Sequence, residues 1–185
     1  MEKEKTKSKG EGEFRELLPG EKVAIMRQIR EAESHTSAEI ATAFVPDSSK
    51  FYSKFRSGNP SLKDLTKHEV ELAVYFKAKE VFEKLIEAEN LSDEVAGRTV
   101  LILWSHKERK IQIVGGTLIR QELLKPDKMQ PIIEMIEKGI EASQRDIDIS
   151  TIQEVIIALE EKLKNLLPWW SGDVDEVTDK PFETE

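Results

Sequence analysis

The chain has no cysteine. That one absence removes thiolate nucleophiles, thiolate metal ligands and disulfides together. Histidine is sparse as well: His35, His68 and His106 are scattered, and no two have the spacing of a metal-binding pair. The glycine run of a P-loop and the pattern His-Glu-x-x-His are both missing, and Ser37 and Ser105 lack a nucleophile-elbow context. No window approaches the roughly 18 apolar residues of a membrane span. The charged N-terminus is not followed by the apolar stretch of a secretory signal. A cytoplasmic protein without a transmembrane segment is therefore expected. Positive charge is in deficit, with 28 basic against 36 acidic residues and a net charge of −8, which argues against nucleic acid as a partner.

What is present is a strong core signal. At 185 residues the chain suits one domain that can bury a core without staples. The stretch Arg98 to Gly116 organises it. Val100 to Trp104 is a short apolar run without helical period, as in a strand covered on both faces. The polar link Ser105 to Arg109 has hairpin length, and Ile111 to Val114 alternates as a strand does, so this hairpin is expected at the middle of a sheet. Upstream, Thr36 to Pro46 reads as a strand with Ile40, Thr42 and Phe44 on one face and the smaller Ala41, Ala43 and Val45 on the other. Before it, Val23, Met26 and Ile29, flanked by Ile25 and Ala32, predict a helix from about Gly20 to Ser34.

Between the strands, Thr66 to Asn90 carries a long apolar stripe and a capping-box start, Thr66 with Glu69. Strand, helix and strand in that order predict a parallel pair with a right-handed crossover. Asp47 to Asp64 is a long polar loop around Phe51, Tyr52 and Phe55. After Gly116 the chain turns helical, with segments expected at Thr117 to Leu124, Pro126 to Ala142 and Ile149 to Leu166. The expected fold is α/β: a single-domain α/β/α sandwich over 20–168, with a mixed sheet made of a parallel strand-helix-strand unit plus an antiparallel hairpin, and a helical C-terminal half. It lies between a disordered charged arm at 1–12 and an acidic disordered tail at 171–185.

Three pieces in order resemble the TPM domain family, the group containing thylakoid-lumen proteins of photosystem II repair and bacterial membrane-associated proteins. They are Glu-Ser-His-Thr-Ser-Ala-Glu-Ile (Glu33 to Ile40), Val-Leu-Ile-Leu (Val100 to Leu103) and Glu-Arg-Lys-Ile-Gln-Ile-Val-Gly (Glu108 to Gly115). The resemblance implies a mixed sheet between helices, and acid phosphatase activity or metal binding in some members. Where the family has Gly-aromatic-Gly-Leu-Glu after the third strand, this chain has Gly115, Gly116, Thr117, Leu118 and Ile119. The membrane anchor that some bacterial members carry near the exit of the first strand is replaced by the polar Asp47 to Asp64 loop.

Phosphoryl hydrolysis needs carboxylates that hold a metal or act on phosphate. The candidates are Glu39, Asp47, Glu108 and Asp127, with calcium or magnesium as the candidate ion; solvated surface carboxylates are the ordinary alternative. Trp169 and Trp170, next to Pro168, are candidate anchors for a protein partner, unless they fold back over the core. With no complete catalytic constellation, the expected function is a non-catalytic protein-interaction module of TPM type, and the alternative is a weak metal-dependent acid phosphatase.

Overall fold

The computed structural model describes residues 16–142, 149–170, 177 and 179–183, so the charged arm expected at 1–12 lies outside the described residues. Helix α1, Pro19–Glu33, starts on proline, and the Glu21 carboxylate accepts from the Leu18 amide at 2.7 Å. Its buried stripe is Ile25, Ile29 and Ala32. The stripe is rotated from the one expected, because the spacing of Ile25, Ile29 and Ala32 meets α6 while Val23 turns out to 63% exposure.

Strand β1, Glu39–Val45, is buried throughout. Its two faces divide as the alternation requires. Ile40 and Phe44 join one apolar cluster, whereas Ala41, Ala43 and Val45 join the other. A loop with a 3-10 segment at Ser49–Lys54 leads to helix α2, Lys67–Ala88, whose Thr66–Glu69 capping box is formed as expected. Short helix α3, Asp93–Arg98, capped by Ser92, was not signalled by periodicity because it lasts less than two turns. Strands β2, Thr99–Ser105, and β3, Lys110–Gly115, form the hairpin. Then follow α4, Thr117–Glu122, α5, Pro126–Ala142, α6, Ile149–Leu166, and the two-residue strand β4, Phe182–Glu183.

The sheet order is β3-β2-β1-β4, with β1–β2 parallel, β2–β3 antiparallel and β4 parallel to β1. The hairpin is thus not the middle of the sheet: β2 is interior and β3 is an edge. Helices α1, α5 and α6 cover one face, and α2 covers the other. Each fully buried Ile or Leu in these layers contributes roughly 1.5–3 kcal/mol. Gly116 is forced by close approach, since a Cβ there would lie 1.8 Å from the Ala96 carbonyl oxygen of α3.

The expected disordered tail at 171–185 is corrected where it is described. Val177 is buried in the α2-side cluster, the Asp179 carboxylate is ion-paired with Arg30, and β4 extends the sheet along β1. An unpaired β1 edge and an apolar residue to bury explain why an acidic stretch is held. Residues 171–176, 178 and 184–185 lie outside the described residues.

Candidate functional site

In open α/β sheets ligands bind beyond the carboxyl ends of parallel strands. Here β1 and β2 end together, with Val45 opposite Ser105. The four-residue turn after β2 is held over β1 by bonds from the His106 amide to the Val45 carbonyl and from the Lys107 amide to the Pro46 carbonyl, both 3.0 Å. Arg109 closes that turn in the left-handed region at φ 51°. Its guanidinium donates to the Ile140 carbonyl at 2.9 Å, which docks the turn on α5.

The turn delivers Glu108 inward. Although charged, it is 7% exposed. Its Oε1 accepts from the Ser48 amide at 3.0 Å and from the Tyr52 hydroxyl, and its Oε2 accepts from the Ser105 hydroxyl. The Ser48 and Ser105 hydroxyls are 3.1 Å apart. A buried carboxylate tolerates such a place only when donors surround it, and three do. Burial, with Glu108 beside it, pushes the Tyr52 phenol far above its ordinary value, so Tyr52 stays a donor.

Asp47 lies next to this network and meets solvent. Burial works against its ionisation, but the hydroxyl and amide of Ser49, at 2.6 and 2.9 Å, together with Lys107, hold its carboxyl below the usual range. Lys77 of α2 is 5% exposed. Burial pushes its ammonium below the ordinary value, with Glu80 opposing. Ser48, Tyr52, Ser105 and Lys77 carried no motif. The only signal for them was Tyr52 in an overlong loop and Ser105 at a strand end.

The four candidate carboxylates do not converge. Glu39 starts β1 and Asp47 follows its end, so a seven-residue strand of roughly 20 Å separates them. Glu39 is buried; it faces Arg98 at 3.6 Å and accepts from the Val177 amide at 3.3 Å. Asp127 sits in the first turn of α5. Only Asp47 and Glu108 share an end. Among the described residues, no group of three or more His, Asp or Glu side chains is arranged to hold a metal ion. Trp169 and Trp170 do not fold back, being 51% and 58% exposed. No helix among the described residues is long and apolar enough to cross a membrane.

The fold is similar to that of a solved structure. The NMR structure of BA42 protein from the psychrophilic bacterium Bizionia argentinensis superposes with a TM-score of 0.65 at 19% identity, covering 91% of this chain and 95% of that one. The likeness is one of fold. No family model matches the chain, and no curated protein matches it.

Proposed function

We propose that this is a TPM-like domain acting as a protein-interaction module without catalysis. The observation that carries the reading is the closed network at the strand ends. Both oxygens of Glu108 are occupied by donors from the protein itself, which suits a carboxylate that fixes two loops and leaves it poorly suited to a metal or a proton-transfer role. The order of elements agrees with what the TPM resemblance implies, and the exposed Trp169–Trp170 pair offers an aromatic anchor of the kind that dominates protein interfaces. A metal-dependent acid phosphatase would need its carboxylates gathered, and Asp47 stands apart from Glu39 and Asp127.

The test is hydrolysis of p-nitrophenyl phosphate across acidic pH with calcium, magnesium and manganese. The expected result is release no faster than in buffer containing the metal. Metal-stimulated release that Asp47→Asn abolishes would overturn the reading.

A further inference from the structure

The two edges of the sheet are finished differently. The chain's own C-terminal segment runs along β1 as β4, whereas among the described residues no strand lies on the outer side of β3. The backbone pattern says which groups that leaves. The Gly116 amide bonds to the Thr99 carbonyl at 3.0 Å, and the register pairs Leu101 with Val114 and Leu103 with Gln112. In an antiparallel ladder hydrogen-bonded pairs alternate. Val114, Gln112 and Lys110 therefore face β2, and the N–H and C=O groups of Ile111, Ile113 and Gly115 point outward. The outward Ile113 carbonyl accepts from the Gln112 side-chain amide at 3.1 Å, a local bond that the main chain of an added strand would replace.

This edge is the floor of a groove. One cavity of about 450 Å³ runs along Lys110 to Ile113 between Val74 of α2 and Met129 and Ile133 of α5. A second, of about 520 Å³, runs along Gln112 to Gly115 between Tyr75 and Phe82 of α2 and Leu124. Together they follow the whole of β3, roughly 20 Å for six residues. Ile133 and Tyr75, both large exposed apolar side chains, line it. At the Lys110 end the charges are matched, Lys110 to Glu71 at 3.4 Å and Glu137 to Lys67 at 3.9 Å. At the Gly115 end the second cavity is lined by Lys79 and Arg120 with Glu83.

We propose that the β3 groove binds an extended peptide segment of a partner protein by strand addition, with alternate apolar side chains and an acidic residue at the Gly115 end. The inference deepens the interaction-module reading and rests on it. Main-chain bonding to an edge supplies affinity, and pockets for alternate side chains supply selectivity. A second folded copy is a poor occupant, because its own edge strand carries helices on both faces that would meet α2 and α5. The excess positive charge beside Gly115 favours an acidic residue there.

The probe is a synthetic hexapeptide of alternating valine and threonine with aspartate at one end, titrated into the full chain and followed by amide NMR shifts and hydrogen exchange. Slowed exchange at the Ile111, Ile113 and Gly115 amides is expected, together with loss of binding for the same peptide N-methylated at alternate residues. Ile113→Pro removes an outward donor without touching the β2 ladder and should weaken binding at least tenfold. Arg120→Glu, on the exposed face of α4, tests the acidic end independently of any effect on folding, with a several-fold loss expected. Equal binding of the N-methylated peptide, shifts confined to Trp169 and Trp170, or concentration-dependent dimers that protect the same amides would each overturn the proposal. Failure of the parent reading looks different: metal-stimulated phosphate release with the peptide still docking refutes the non-catalytic reading alone, and no release with no protection at β3 refutes this proposal alone.

Discussion

The two ends of β1 each carry a buried glutamate, and they use it in opposite ways. At the carboxyl end Glu108 is satisfied by neutral donors, two hydroxyls and one amide, drawn from the last residue of β2 and the loop after β1. At the amino end Glu39 faces the guanidinium of Arg98, which also donates to the Ser37 carbonyl, and it accepts from Val177 near the C-terminus. The first glutamate organises two loops. The second ties the C-terminal segment to the sheet, with Arg30–Asp179 as a further tie. A buried carboxylate is therefore not by itself a mark of chemistry; what satisfies it decides its role.

The sharpest way to break this comparison is Arg98→Ala. It takes the cation from a carboxylate with 3% of its side chain exposed, and the expected loss is roughly 3–5 kcal/mol in urea unfolding. Amide exchange should open at Val177 and in β4 while the Glu108 end stays protected. Gly116→Ala comes next, at about 3 kcal/mol, because the new methyl group would overlap the Ala96 carbonyl of α3. Glu108→Gln is smaller, about 1–3 kcal/mol, since the amide keeps the shape but presents one acceptor oxygen to donors that used two. Its exchange changes should stay within the two loops and leave Val177 unaffected; if Val177 also opens, the two ends are not independent.

Most of this fold could be read from periodicity, and the rest could not, for physical reasons. The capping box at Thr66 and Glu69 fixed the start of α2, and the split of β1 into large and small faces was legible, although which helix covers the small face shows only in the packing of α2 on Ala41, Ala43 and Val45. The stripe of α1 was misread because Val23, Met26 and Ile29 also fit a helical face, and only packing against α6 chooses between the two. The C-terminal segment looked disordered because its acidity was visible, while the bonds holding it come from Arg30 and Glu39, far away in sequence. Of the site, Glu108 and Asp47 were legible as carboxylates near strand ends. Glu39 was grouped with them, and the bounds of β1, with Glu39 first and Asp47 after its end, are what part the two. The donors Ser48, Tyr52 and Ser105 were not legible, because nothing in their spacing declares that a turn will bring Glu108 among them.

The carboxyl end also carries an acid response of its own, and this is the smallest expected effect. Glu80 of α2 is ion-paired with Lys50 from the loop after β1 and with Lys84 at 2.9 Å. Burial would raise its carboxyl, but the lysines outweigh that and hold it at about 2, against an ordinary 4.5. The folded-state value is the lower one, so between the two values the unfolded chain binds more protons, and stability rises with pH. The contribution is fully present above pH 4.5 and is lost as pH falls toward 2. Both lysines are about half exposed and water screens the pairs, which limits the effect to about 1 kcal/mol or less. Urea midpoints measured through that window should fall less steeply for Glu80→Gln than for the parent chain. An identical slope would mean that the acid response does not come from Glu80 and its two lysines.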